Sequence, residues 1–535
     1  MKIRLKPDRD LLWVLLIAVI SLLVHVFTYN NLGFHRDELL YLALGKHLAA
    51  GYWSNPPLIG LISFLSQLLP GDPLFTTRLI PAIAGAVLIL LTGLIVRELG
   101  GKLYAQILAC LSLSLSLLIL RGYSMLQPVP FDILFWTLIL FFFLRYINTQ
   151  KPVHLLLIGV VFGIGMLNKY MVIFLAAGIF LAVIFTPYRR LWINRYTWFA
   201  ILIAFVLFLP NLIWQYNYDF PVMRHMQELK DTQLVNVKRA NILLDQMLMF
   251  TIGTIVWISG LLWLLVARRS GKYRVFGFIY LSILALFLIM RGKSYYMAGL
   301  YPFLFAAGGV SFESVLKSRV WRISLAMFIA ILSIPIVPGG IPVMSAGKLA
   351  DFFKKIPPEA GAEALLRWED GRMHPLPQDF ADMLGWDELG NVVKKACDTI
   401  EDKSRIMIYA QNYGQAGAID HCGRCHGLPQ VASFSDSYLL WVPDSISSKQ
   451  DMFFYVNYEL GGDVDSLFTR IDSIGSITNP YAREHGTTVY MCRLPRSDFN
   501  EFWSRRVREV KEESGLLRPP KPRLTMQGLS RGGQD

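Results

Sequence analysis

Apolar residues in this chain gather into runs of membrane-spanning length, separated by short polar segments. The runs fall near 11–29, 79–96, 104–120, 132–147, 154–167, 170–186, 197–213, 247–266, 275–290, 296–312 and 321–343. An apolar stretch of this kind satisfies its backbone polar groups in hydrocarbon only as a helix, so the pattern predicts about 11 transmembrane helices. The intervening segments alternate in character. Those at 97–102, 145–151, 189–195, 268–274 and 317–322 are short and basic, which places them in the cytoplasm by the positive-inside rule. The opposite side then receives 37–38, 121–131, 168–170, 214–246, 291–296 and everything after 343.

Beyond about 345 the pattern becomes that of a globular domain. Leu389, Val392, Val393, Ala396, Cys397 and Ile400 repeat at helical spacing. Strands are expected at 405–410, 452–456 and 487–494, with helices from Asn412 and over 464–471, giving a small α/β unit. From Arg505 the chain is basic and contains Pro519, Pro520, Gly532 and Gly533, which favours a disordered end. The expected organisation is a polytopic α-helical membrane domain at 1–345, an extracytoplasmic α/β domain at 346–504 and a disordered tail at 505–535.

Composition agrees with the first of these. Of 535 residues, 54% are hydrophobic and 17% charged, and the mean hydropathy is +0.43, outside the range of soluble domains. The net charge of +13 sits largely in the loops between apolar runs, where topology, membrane lipid and phosphate explain it better than nucleic acid does. The basic N-terminus precedes an apolar run with no small-x-small cleavage site, so the first span is expected to be retained. No Asn-x-Ser/Thr acceptor occurs, which favours a bacterial inner membrane with a periplasmic tail over a secretory lumen.

The candidate chemistry lies on the outer side. Asp37 and Glu38 follow the first span, and Asp132 opens the fourth; Arg121, Lys169, Arg291 and Lys293 share their side. Acidic groups at the mouth of a span usually face a cavity, a cation or a reacting group, because lipid penalises them. Cations there could neutralise a phosphate, while a carboxylate could accept a proton or hold a divalent cation, the one cofactor the pattern suggests. Tyr295 and Tyr296 could line a sugar or lipid pocket. The competing explanation is interfacial anchoring by snorkelling bases and belt tyrosines. Cys422-Gly423-Arg424-Cys425-His426 matches the haem-attachment pattern, although a disulfide or a zinc site with His421 and His426 suits its surroundings better. Cys397 and Cys492 are a further candidate pair.

These residues resemble the C-type glycosyltransferases, in the branch of protein mannosyltransferases and bacterial aminoarabinose lipid A transferases. The likeness rests on Arg36-Asp37-Glu38 with Tyr41, the Pro56-Pro57-Leu58 step, Asp132, Asn168-Lys169-Tyr170 and 291–296. The tail segments 377–382 and Asn412-Tyr413-Gly414 look like the extracytoplasmic domain of some bacterial members. What the resemblance implies is inverting transfer of a sugar from a polyprenyl-phosphate carrier to a lipid, glycan or protein hydroxyl. Asp37 would be the base, with Glu38 and Asp132 positioning groups and Lys169, Arg291, Lys293, Tyr295 and Tyr296 binding substrate. Asn55 stands where relatives often carry Lys or His before the two prolines. The main alternative is a transporter or flippase of lipid-linked solutes, which would show inverted repeats; none is visible. A membrane-anchored cytochrome is the third reading and depends on Cys422 to His426.

Overall fold

A computed structural model describes residues 9–516 except 233, 234, 236, 358–361, 424–426 and 497. The chain forms two compact units, one of Met1–Leu32, Leu65–Phe208 and Lys230–Pro377, the other of Gly33–Phe64, Leu209–Leu229 and Gln378–Asp535. Among the described residues six helices are long and apolar enough to cross a membrane: Arg9–Thr28, Pro73–Glu98, Pro128–Thr149, Arg195–Asn217, Arg268–Met290 and Arg319–Gly340. Two more candidates are bent, Val172–Ile184 with Pro187–Ile193 by 116° and Arg239–Leu248 with Thr251–Val266 by 99°, for up to eight spans.

The runs that fall short have local causes. The 104–120 run breaks after Leu103–Ser114, where Ser114 and Ser116 donate their hydroxyls to the carbonyls of Leu111 and Leu113 and compete with the helix ladder. The 296–312 run divides at Pro302, which has no N–H to give and starts the helix Tyr301–Val315 after a 3-10 segment, Ser294–Leu300. The 154–167 run makes a helix of 16 residues, Val153–Asn168.

Within the first unit the basic loops meet. Glu98 accepts Arg145 at 2.5 Å and Asn148 at 3.0 Å, and Asn148 in turn accepts Lys272 and the Tyr273 hydroxyl, each at 3.0 Å. Tyr188 donates to the Lys272 carbonyl at 2.8 Å. Glu313 accepts the Lys102 N–H at 2.8 Å, and Arg322 closes on the Glu313 carbonyl at 2.9 Å. Four of the five segments that the charge pattern assigns to one side, 97–102, 145–151, 268–274 and 317–322, take part in these contacts, and Asn194 of the fifth donates to the Tyr146 hydroxyl at 3.3 Å.

The second unit carries a mixed five-stranded sheet of β1 (Ile406–Ala410), β2 (Val431–Ala432), β3 (Met452–Asn457), β4 (Phe468–Ser476) and β5 (Thr488–Pro495), in the order β2-β1-β3-β5-β4. β1 runs parallel to β2 and β3, whereas β5 is antiparallel to β3 and β4. Met407, Tyr409, Phe453, Tyr455 and Cys492 face a cluster closed by Phe499, Trp503 and Val507 of the helix Phe499–Glu513. The helices Trp386–Asp398 and Tyr413–Gly423 pack together, and Val392 meets Gly475 on the other face.

Several expectations change here. The expected helix at 464–471 ends at Leu467, and Phe468 to Ile471 join β4, because they pair with β5 from Phe468 opposite Pro495 to Ile471 opposite Cys492. Residues 505–513 are helical, since Trp503 and Val507 bury one face of an amphipathic helix; 517–535 lie outside the described residues. Cys397 and Cys492 are free thiols: Cys492 faces the Phe499–Glu513 helix, while Cys397 sits on the helix covering the opposite face. Arg424, Cys425 and His426, with the Cys422 side chain, lie outside the described residues, and the haem, disulfide and zinc readings of that segment with them.

Candidate active site

The acidic pair opens the helix Arg36–Lys46, and its two members do different things. His35 is the N-cap: its Nδ1 accepts the Asp37 N–H at 3.1 Å, and the Glu38 carboxylate reaches back to the His35 N–H at 2.8 Å, completing a capping box. Glu38 is fully buried in that task. Asp37 remains 31% exposed, at a helix N-terminus, where the helix dipole favours negative charge.

The tail domain supplies the neighbours of Asp37. Tyr413 donates its hydroxyl to Asp37 Oδ1 at 2.8 Å, and the Arg36 guanidinium lies over the Tyr413 ring at 4.6 Å. Gly417 makes the contact possible: a Cβ there would lie 2.8 Å from the Leu39 Cβ and 2.9 Å from its carbonyl carbon, so only glycine lets these two helices touch. Burial, then the Asp37 charge, drive the Tyr413 hydroxyl well above its ordinary value, so it stays a donor. Burial alone would weaken the Arg36 cation, but Tyr413, Asp382, Asp37 and Glu484 outweigh it and raise its pKa.

Behind His35 stands a second carboxylate. Asp382 Oδ2 lies 4.0 Å from His35 Nε2 and accepts Arg483 Nη1 at 3.0 Å. With Nδ1 acting as acceptor, the His35 proton belongs on Nε2, facing Asp382. Burial raises the Asp382 pKa despite the opposing pull of His35, Arg483 and Arg36.

In the first unit, Asp132 is buried and accepts the Trp136 Nε1–H at 3.1 Å, within electrostatic reach of Lys169. The Lys169 ammonium lies 5.2 Å from the ring centroids of both Tyr295 and Tyr296, and Lys293 is near enough for its charge to be felt. Gly299 seats this loop, because a Cβ there would meet Trp136 Cβ at 2.3 Å. The structure thus groups Asp132, Lys169, Lys293, Tyr295 and Tyr296. Arg291 is exposed and caps the helix Arg274–Met290 in left-handed conformation, with φ of 54°. Among the described residues no three His, Cys, Asp or Glu side chains converge as metal ligands do.

His35, Tyr413, Asp382 and Arg483 had no role in the sequence reading. Their only signal was placement, since Tyr413 and Asp382 belong to the tail segments singled out without a purpose.

The model of the dolichyl-phosphate-mannose-protein mannosyltransferase family matches residues 54–214. The lipid A galacturonosyltransferase RgtD of Rhizobium johnstonii is 27% identical over 218 residues, which are 38% of this chain and 43% of that protein, so the match spans less than half of the relative. Two crystal structures of ArnT from Cupriavidus metallidurans, one bound to undecaprenyl phosphate and one in the apo state, superpose on 90% of this chain and 98% of theirs. Their TM-scores are 0.60 and 0.59, each at 13% identity. The chain has the fold of ArnT. The family match contains Asp132 and Lys169, while Asp37 and Glu38 precede it.

Proposed function

We propose that the chain transfers a sugar from a polyprenyl-phosphate donor to a hydroxyl of a lipid, glycan or protein, with inversion, at the periplasmic face of a bacterial inner membrane. The observation that carries the reading is Asp37: a partly exposed carboxylate at a helix N-terminus, oriented by the Tyr413 hydroxyl and by the His35 cap beneath it. Asp37 takes the acceptor proton as the acceptor oxygen bonds to the anomeric carbon. The phosphate departs from the opposite face with the electron pair. A phosphate leaves as a stable anion and needs no proton, so a cation suffices there. Lys169, backed by Lys293 and framed by Tyr295 and Tyr296, is that cation. Asp132, held by Trp136, orients Lys169 or the sugar, and Glu38 keeps the Asp37 turn in shape.

Support comes from the fold, from the mannosyltransferase match over 54–214 and from the undecaprenyl phosphate named for ArnT. The test is turnover of a polyprenyl-phosphate sugar by reconstituted protein. Asp37→Asn preserves shape and removes the base, so transfer should fall by about 10²–10⁴-fold with folding unchanged. Near-normal transfer would end this reading. Mass spectrometry of glycans and lipids lost from a deletion strain identifies sugar and acceptor.

A further inference from the structure

The sheet of the second unit has a cavity that the proposed chemistry does not use. It measures about 650 Å³ and opens on the face covered by the helix Phe499–Glu513, opposite the face on which the helices Trp386–Asp398 and Tyr413–Gly423 pack. Asp37, Glu38 and Tyr413 do not line it. That volume lies within the range of small-molecule sites.

Its walls combine two kinds of group. Tyr409 and Tyr455 lie side by side with rings 5.8 Å apart and 4° from parallel, and Trp503 stands edge-on to Tyr409 at 84°. The Trp503 indole N–H is already given to the Pro443 carbonyl at 3.0 Å, so the ring offers a ligand only apolar surface. Around these rings stand Asn457, which donates to the Tyr455 hydroxyl at 3.0 Å, and Arg506 and Asp463, whose charges reach the Tyr409 hydroxyl. The charged lining comprises Glu228, Asp436, Asp463 and Glu513 against Arg506 alone. Such an acidic lining repels phosphates, uronates and fatty-acid headgroups.

An occupant must therefore present an apolar face to flat rings and many hydroxyls to amide, carboxylate and guanidinium groups, without negative charge. A hexopyranose does both: its axial C–H bonds form a face that lies on aromatic rings, and its hydroxyls donate to Asp and accept from Asn and Arg. We infer that this cavity is a carbohydrate-binding site for an uncharged hexose unit of a glycan. It goes beyond the transfer reaction and does not rest on it.

Saturation-transfer NMR on the full-length protein in detergent tests this with the methyl α-pyranosides of glucose, galactose and mannose, and with methyl glucuronide as the anionic comparison. At least one neutral hexoside should receive saturation on its ring protons, with millimolar affinity, and the glucuronide should bind at least tenfold more weakly. Asn457→Ala and Arg506→Ala alter groups around the cavity, and each should weaken hexoside binding about tenfold while the unfolding temperature holds. Asp37→Asn should leave binding unchanged, so failure of the transfer reading and failure of this one can be told apart. Saturation of no hexoside, equal binding of the glucuronide, or indifference to both Asn457→Ala and Arg506→Ala would overturn the inference.

Discussion

Asp37 and Glu38 are adjacent carboxylates with opposite fates, and the difference follows from one N-cap. The box at His35 recruits the third helical residue, so Glu38 turns inward, and the second, Asp37, is left for its contact with Tyr413. Tyr413→Phe deletes the hydrogen bond that orients Asp37 and nothing larger. Transfer should fall roughly fivefold, the equivalent of about 1 kcal/mol, with donor affinity unchanged. Lys169→Gln should do the reverse, weakening donor binding by about 1.5–3 kcal/mol in a titration with a polyprenyl-phosphate sugar, because a charge-assisted contact to phosphate is lost. Unchanged donor affinity would remove Lys169 from the site. Asp382 carries a pH signature. Burial raises its pKa, so the folded domain holds this proton more tightly than the unfolded chain does. Its contribution to stability is full below the ordinary aspartate range and is lost as pH rises through the raised value. Asp382→Asn cannot ionise, and its unfolding temperature should decline less than the wild type's over that interval.

At the scale of elements, the site depends on how closely the helices Arg36–Lys46 and Tyr413–Gly423 approach. Gly417→Val puts a branched side chain where Leu39 backbone already lies, and overpacking of this kind costs about 1–3 kcal/mol. The helices should separate, with transfer falling further than for Tyr413→Phe and the unfolding temperature falling as well. Periodicity in the sequence announced the helix at 386–398 and strands β1, β3 and β5, because each buries a regular face. It misjudged 468–471, where Phe468 and Ile471 stand three apart as on a helix face while the backbone pairs with β5, and 104–120, where side-chain hydroxyls interrupt a run that hydropathy alone reads as continuous. The acidic pair was legible because charge beside a span is costly. Its partners Tyr413, Asp382 and Arg483 were not, since polar residues in a polar domain carry no such mark.

For the whole molecule, the charge pattern proposes an orientation that labelling can test. The loop after the first span, the segment after Arg195–Asn217 and the tail, all assigned to one side by alternation, fold as a single compact unit. A membrane-impermeant thiol reagent should therefore reach a cysteine introduced at Lys449 in intact spheroplasts and fail to reach one introduced at Lys151. The opposite pattern would invert the orientation.

The contact between Tyr413 and Asp37 also joins positions 376 residues apart. At ribosomal rates of about 5–20 residues per second, the loop bearing Asp37 waits roughly 20–75 seconds for its partner to be made. Asp37 is thus made long before the Tyr413 hydroxyl that orients it. On the proposed function, catalytic competence would wait for the segment bearing Tyr413, and a truncation before Asn412 would leave an apolar helical unit in which Asp37 has lost its Tyr413 contact.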